Sequence, residues 1–173
     1  MTAAPYALFS RSTGALQGYA VSSAAPADGQ VLKWNGSQWS PQPLGVAMVF
    51  TSGHGFNPSP TLNKIGPQAT VTVANGQKVL VTSHKGLGSV SSNGGLGLSL
   101  WICYKQMPNG ELTQVGAGAQ NLRVPQNTRA LFGLSAVIEG LNGTYEVGLC
   151  GSSSNFTSWN DSANGYTTAL ISN

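Results

Sequence analysis

The stretch that decides the fold is LGLSLWICYKQM, residues 96–107, where large apolar residues recur at every second position. In an extended chain, successive side chains point to opposite faces. One face then carries Leu98, Leu100, Ile102 and Tyr104, and the other carries Ser99, Trp101, Cys103 and Lys105. This period of two is typical of a half-buried β-strand. We therefore take the segment as the longest strand candidate of the chain.

Shorter patterns of the same kind recur on both sides of this segment, separated by clusters of Gly, Asn, Ser and Pro. They are VAMVFTS (46–52), ATVTVA (69–74), KVLVTS (78–83), RALFGLSAVIEG (129–140), TYEVGLCGSS (144–153) and YTTALIS (166–172). Strand signals at this spacing predict an all-β protein, an antiparallel β-sandwich or jelly roll. Around Asn75-Gly76 we predict a hairpin with a three-residue loop, which pairs Val71 with Val81 and Val73 with Val79.

The composition excludes several classes of protein. Only 8% of the 173 residues are charged, against roughly 25% in typical soluble domains. Long solvated helices are disfavoured, since their outer faces normally carry many Lys and Glu residues. Disorder is disfavoured as well, because 40% of the residues are hydrophobic and the net charge is only +3. A surface with few charges is poorly protected against association, so we expect much of it to be buried in an oligomer.

The sequence also limits the partners and the compartment. The eight Lys and Arg residues are scattered, without the basic stripe that nucleic-acid binding requires. No apolar stretch approaches the ~20 residues of a membrane span. The first residues, MTAAPYALFSRS, lack the charged and apolar regions of a signal peptide. We expect a protein made in the cytoplasm that binds no nucleic acid and does not insert into a membrane.

Residues 1–45 differ from the rest and contain QVLKWNGSQWSPQP at 30–43. Asn-Gly between apolar residues is the strongest short hairpin signal. A two-residue turn at 35–36 pairs Trp34 with Ser37 and Leu32 with Trp39, which places Leu32, Trp34 and Trp39 on one face. A lone two-stranded hairpin is marginal in water. We predict that this face packs against the same hairpin of other copies around a symmetry axis.

The segment APYALFSRSTGALQGYAVSSAAPADGQVLKWNGSQWSPQ resembles the neck of bacteriophage tail-fibre proteins and related bacterial fibre proteins. The residues that fit are Pro5, Tyr6, Ala7, Leu16, Gln17, Gly18, Gly29, Gln30, Trp34, Asn35, Gly36, Trp39 and Pro41. The remainder is similar to trimeric C1q/TNF-like jelly-roll heads in KVLVTS, LSLWICYKQ, YEVGLCGSSSN, SWN and GYTTALI.

This resemblance implies an N-terminal anchor and neck (1–45), a jelly-roll head (46–173) and a homotrimer. It also implies a place in a virus particle, joined through the N-terminus, and attachment to a glycan or protein of a host surface. Two alternatives remain: a purely structural module that decorates the virion without a receptor, and a bacterial surface adhesin at a fibre tip. A shared fold does not by itself identify a ligand.

Residues able to perform chemistry are few. A catalytic triad could use only His54 or His84, and there is no G-x-S-x-G motif. Glu139 and Glu146 flank one turn and could approach each other as the two carboxylates of a glycosidase do. Neither C-x-x-C nor paired histidines occur, and the segment 161–165 offers calcium a single carboxylate. We expect no catalytic residues, no metal and no cofactor.

The loop 155–166, NFTSWNDSANGY, mixes aromatic residues with short polar ones, as sugar and receptor sites do. It makes Trp159, Asn160, Asp161 and Tyr166 the candidate ligand-binding residues. In the alternative interpretation, Trp159 and Tyr166 pack within the head or the trimer interface. A second candidate is GLGSVSSNGG (86–95), an exposed loop by composition. Cys103 and Cys150 are either two buried thiols or one disulfide between neighbouring strands.

Overall fold

The structure is a computed structural model that describes residues 14–43 and 45–172. Residues 1–13 of the predicted anchor and neck (1–45), including Pro5, Tyr6 and Ala7, lie outside the described residues. The chain divides into two compact units, Met1–Val46 and Ala47–Asn173. Among the residues with a described conformation there is no α-helix, and no helix could span a membrane.

The N-terminal unit contains two small hairpins. Strands β1 (Ala15–Leu16) and β2 (Tyr19–Ala20) are joined by a tight turn in which Gln17 and Gly18 both have positive φ. Strands β3 (Gln30–Trp34) and β4 (Trp39–Pro43) form the predicted second hairpin.

The predicted register of the second hairpin is wrong by two residues. Trp34 pairs with Trp39, and the turn spans the four residues 35–38. The side-chain Oδ1 of Asn35 accepts hydrogen bonds from the backbone N–H groups of Ser37 and Gln38, which favours this longer turn. Because a shift of two residues preserves the side-chain faces, Leu32, Trp34 and Trp39 still share one face.

The second unit, the head, is made of eight strands joined by short loops. They are β5 (Ala47–Gly53), β6 (Asn63–Val73), β7 (Lys78–Ser89), β8 (Gly95–Gln106), β9 (Thr113–Val124), β10 (Thr128–Ile138), β11 (Gly143–Ser153) and β12 (Asp161–Ser172). One sheet has the order β10-β7-β12-β5 and the other β6-β11-β8-β9, and every pairing is antiparallel. This strand order is that of an eight-stranded jelly roll. The predicted all-β sandwich is confirmed, and the homotrimer stays a prediction.

The hydrophobic core lies between the two sheets. In β8, Leu98, Leu100 and Ile102 are fully buried and Tyr104 packs against them, on the face that the alternation predicted. On the opposite face of the same strand, Cys103 forms a disulfide with Cys150 of the adjacent strand β11, which decides between the two alternatives for these cysteines.

The predicted hairpin around Asn75-Gly76 is wrong. Val71 pairs with Tyr145 of β11, whereas Val81 pairs with Ala169 of β12 and Ala136 of β10. The loop 74–77 therefore crosses from one sheet to the other. Val71, Val73, Val79 and Val81 are all buried in the same core. The alternation of apolar residues determines which side chains are buried, but it does not determine which strand lies alongside.

The strand directions give the head two distinct ends. At one end, the proximal end, β5 begins, β12 ends, and the loops 74–77, 107–112 and 139–142 turn. At the other, the distal end, lie the loops 54–62, 90–94, 125–127 and 154–160. The chain enters and leaves the head at the proximal end, so every connection at the distal end is a loop.

Candidate functional site

The distal end brings the two loops singled out by the sequence into direct contact. Asn160 Oδ1 accepts a 2.9 Å hydrogen bond from the N–H of Val90, and Asn160 Nδ2 donates to Ser91 Oγ at 3.1 Å. A single asparagine thus joins the loops 154–160 and 90–94. Residues 86–89 of the second candidate are not loop, because they form the buried end of strand β7.

Trp159 is not a platform for a ligand, because its side chain is 1% exposed. Its Nε1–H donates to the carbonyl of Leu96 at 3.0 Å, and its ring meets the edge of Phe132 at a centroid distance of 5.9 Å. This is the packing role given as the alternative for this residue. The indole anchors the loop 154–160 to the core and so fixes the position of Asn160 beside it.

The other two candidates lie apart from each other. Asp161 begins β12 at the distal end and forms an ion pair with Arg129 at the start of β10. Tyr166 lies further along β12 on the outer face of its sheet, where it stacks on Phe50 and contacts His84, with centroid distances of 6.1 and 5.3 Å. The four predicted residues therefore do not form one site.

The remaining titratable candidates are also separated. His54 Nε2 lies 3.1 Å from Ser162 Oγ, but within the described ranges no carboxylate is bonded to His54 to complete a triad. Glu139 pairs with Lys78 and Glu146 with Lys64, so the structure does not bring these two carboxylates together. No group of three or more His, Cys, Asp or Glu side chains that could hold a metal occurs in the described part of the chain.

Sequence reasoning missed a buried lysine beneath the distal loop 54–62. Lys85 is fully buried, and its Nζ donates to the carbonyls of Phe56 at 2.8 Å and Ile65 at 3.2 Å. Burial disfavours the charged form and lowers the pKa of Lys85 from 10.5 to about 8. The amine therefore remains mostly protonated at neutral pH.

Phe56 is held on both sides of its backbone. Its carbonyl accepts from Lys85, and its N–H donates to the carbonyl of Ile65 at 2.9 Å. The preceding Gly55 has φ +63°, and an added Cβ would lie 2.1 Å from the same Ile65 oxygen. The side chain of Phe56 is nevertheless 65% exposed. The sequence did contain a signal for Lys85, because it follows Val79, Val81 and Ser83 at every second position of one strand.

The outer faces of the two sheets differ in character. The sheet β10-β7-β12-β5 exposes what we call the apolar face, formed by Met48, Phe50, Leu80, Val137, Tyr166 and Leu170. Four of these, Met48, Leu170, Leu80 and Val137, form one row across all four strands. The outer face of the other sheet carries Lys64, Gln68, Thr70, Lys105, Thr144 and Glu146.

An apolar groove lies at the side of the sandwich. It has a volume of about 330 Å³ and opens between β9 and β10, where the edges of the two sheets meet. Its lining includes Ile102, Val115, Leu134 and Ala136. The core is therefore partly accessible between these two edge strands.

Comparisons with known proteins give little beyond the fold. No protein-family model matches the chain, and no curated protein matches its sequence. Among solved structures, a chain of the infectious bursal disease virus Gt strain aligns with a TM-score of 0.41 and 11% identity, over 82% of this chain and 37% of the viral one. For the Gx strain the values are 0.35 and 12% over the same shares. Likenesses this distant carry no argument about function, and the jelly-roll assignment above depends on the strand order itself.

Proposed function

We propose that this chain is a non-enzymatic, homotrimeric fibre or spike component of a virus particle that attaches to a host surface. The observation that carries the proposal is the apolar face of the sheet β10-β7-β12-β5, which contrasts with the polar face of the other sheet. A contiguous exposed patch of this kind marks a protein–protein interface. The assignment to a fibre also depends on the neck motif at residues 4–42.

The apolar face favours a second copy of the chain as its occupant. The same outer face also carries the uncharged Thr82, Ser135 and Thr168, and the charged residues that border it, Lys78 and Glu139, are paired with each other, so a partner would not have to neutralise a charge. The strand at one edge of this sheet, β5, also lacks any charged residue, although natural edge strands are usually protected by charges. If identical copies bury this face and this edge, neither the apolar surface nor the unpaired edge of β5 remains exposed. Cyclic symmetry then closes the assembly.

The N-terminal unit supports association independently. Leu32 and Trp34 are both more than 40% exposed, although the ring of Trp34 contacts those of Tyr19 and Trp39. The Nε1 of Trp39 is buried without a hydrogen-bond partner among the described residues. A buried indole N–H normally has a partner, and another copy of the hairpin would supply one.

Attachment is assigned to the distal end because the chain enters the head at the proximal end. In a fibre joined to a particle through its N-terminus, the distal loops would face outward. Loops held on a rigid scaffold are the usual carriers of binding residues. Three copies of a weak site on one trimer would raise the overall avidity without any deep pocket.

Light scattering after size exclusion tests the trimer. Three copies of the 17.8 kDa chain have a mass of 53.4 kDa. We expect this mass for the wild type and partial dissociation for Trp34→Ala with Trp39→Ala. A stable 17.8 kDa wild-type monomer would refute the homotrimer.

Cell binding separates attachment from the structural alternative. Labelled trimer is incubated with candidate host cells, with an unrelated trimeric protein of similar size as the control. Specific binding supports attachment. A stable trimer that binds no host cell and no host glycan would leave the purely structural virion module as the function.

A further inference from the structure

We propose that the distal end holds a binding site for uncharged glycans, formed by Phe56, His54, Ser162, Asp161 and Arg129. This inference depends on the proposed attachment function and names its ligand class. Phe56 supplies an aromatic surface, and the other four residues supply a strip of hydrogen-bonding groups beside it.

The backbone of Phe56 is fixed in place while its ring is exposed. Singly exposed apolar side chains are common and need no explanation. Here, however, both backbone polar groups of the residue are bonded to buried partners, and one of those partners is the ammonium of Lys85. Burial of a charged amine is costly. A backbone held this firmly loses little conformational entropy when a ligand covers the ring.

Two pairs of polar side chains lie near this loop, at the start of β12. His54 precedes Phe56 by two residues and contacts Ser162 Oγ through Nε2. Ser162 follows Asp161, which is paired with Arg129 on β10. The strip therefore consists of two pairs at the start of β12, His54 with Ser162 beside the Phe56 loop and Asp161 with Arg129 of the neighbouring strand β10.

Arg129 and Asp161 retain hydrogen-bonding capacity beyond their own ion pair. The side chain of Arg129 is 46% exposed, and a guanidinium has five N–H donors, of which the pair with Asp161 uses few. The carboxylate of Asp161 has two oxygens and several acceptor positions. A carboxylate and a guanidinium side by side can accept from one hydroxyl and donate to the next, which suits the adjacent hydroxyl groups of a sugar.

The charges of this site favour an uncharged ligand. At the distal end Arg129 is paired with Asp161, and Lys85 is buried against carbonyls. Arg123, at the end of β9, is exposed and has no such pairing among the described residues. The proposed strip thus has no net charge, and its chemistry fits hydroxyl groups and the apolar face of a pyranose ring against Phe56.

The direct test uses the full-length trimer and immobilised oligosaccharides. The probes are uncharged oligosaccharides of glucose, galactose and mannose, with sialylated and uronic-acid oligosaccharides of matched length alongside. We expect binding to at least one uncharged probe and a loss of about tenfold or more in affinity for Phe56→Ala and for Arg129→Gln. Binding restricted to acidic probes would overturn the proposal.

Matched controls come from the same end of the head. Phe156→Ala removes another partly exposed phenyl ring, and Arg123→Gln removes an exposed guanidinium. Both should leave affinity within about twofold of the wild type. Equal losses in the control and site variants would overturn the site. Lys85→Met tests positioning: we expect weaker binding with the trimer mass unchanged, together with faster hydrogen exchange of the Phe56 amide, which a distant structural effect would not produce.

Cell binding distinguishes failure of this site from failure of attachment. If wild-type trimer binds host cells and Phe56→Ala binds equally well, attachment stands and the proposed glycan site is wrong. If wild-type trimer binds no host cell, the attachment function itself fails, and the glycan site fails with it.

Discussion

Lys85 Nζ donates a 2.8 Å hydrogen bond to the carbonyl of Phe56, so a fully buried ammonium holds the backbone of the most exposed aromatic side chain among the described residues. No carboxylate of the described part of the chain is bonded to this amine. Carbonyl dipoles alone compensate its charge, which leaves the pKa of Lys85 at about 8 instead of 10.5. The hydrogen bond between Lys85 and Phe56 therefore links the distal loop 54–62 to the protonation state of the buried Lys85 amine.

Stability should depend on pH through Lys85. Its pKa in the folded state lies below the unfolded value, so between about pH 8 and 10.5 the unfolded chain binds more protons than the folded one. The free energy of unfolding contributed by this group therefore rises with pH in that window, by at most about 1.4 kcal/mol per unit. Urea unfolding at fixed protein concentration measures it.

The matched variants for this experiment are Lys85→Met and Lys105→Met. Lys85→Met should lack the rise relative to the wild type, whereas Lys105→Met, which removes an amine from the outer face of the other sheet, should retain it. Parallel pH profiles for the wild type and Lys85→Met would show that the buried amine does not titrate as described.

Gly55→Ala should destabilise the head and loosen the loop 54–62. The new Cβ would lie 2.1 Å from the carbonyl oxygen of Ile65, in a residue with positive φ. We expect a loss of more than about 2 kcal/mol in the free energy of unfolding. Gly76→Ala is the control, because its φ is also positive but its Cβ meets nothing within 4 Å, and it should lose only about 1 kcal/mol. Equal losses would mean that backbone conformation, and not the contact with Ile65, is responsible.

A charge on the apolar face should separate the proposed copies. Leu80 lies in the row of apolar side chains that crosses the sheet. Leu80→Lys would place an ammonium in that surface, and leaving it unpaired in an interface costs several kcal/mol. We expect dissociation of the trimer by light scattering, with a far-ultraviolet circular dichroism spectrum like that of the wild type. Thr70→Lys, on the polar face of the other sheet, should leave the mass unchanged. A trimer that tolerates Leu80→Lys would show that the interface lies elsewhere.

Trp159→Phe should lower stability more than Trp101→Phe. Both indoles donate to a backbone carbonyl, Trp159 to Leu96 and Trp101 to Ala117. Trp159 is fully buried, so the smaller phenyl ring leaves a cavity and an unpaired carbonyl, at a cost of about 2–4 kcal/mol. Trp101 is partly exposed, and water can replace its contact. Chemical unfolding of both variants measures the loss in the free energy of unfolding. A larger loss for Trp101→Phe would contradict the assigned role of Trp159.

The fold class could be predicted from the sequence because burial imposes a period of two on half-buried strands. In β8, the two faces of the strand were predicted correctly. Strand partners were harder to predict. An Asn-Gly pair marks a turn, but in a sandwich the turn after Val73 joins two sheets, while the turn after Trp34 joins two paired strands. Local sequence is similar in both cases, and only long-range packing distinguishes them.

The candidate site shows the same limit. Trp159 lies in a segment whose composition is typical of a binding loop, but its side chain is buried in the core. Its burial depends on which loop covers the end of the sandwich, and the local sequence does not determine that. Asn160 and Ser91 are far apart in sequence, and their contact follows from the strand order. Lys85 could have been recognised from its inward position in β7, whereas its effect on Phe56 required the structure.

The strand order has a consequence for how the head forms. Strand β5 is hydrogen-bonded only to β12, and Ala47 pairs with Ile171. The first strand of the head can therefore pair only when the last strand is present, and pairings so distant along the chain slow folding. A ribosome-bound chain that lacks residues 161–172 cannot complete this sheet, so the surface proposed to join the copies would appear only after the whole head is synthesised. Assembly would then be confined to finished chains.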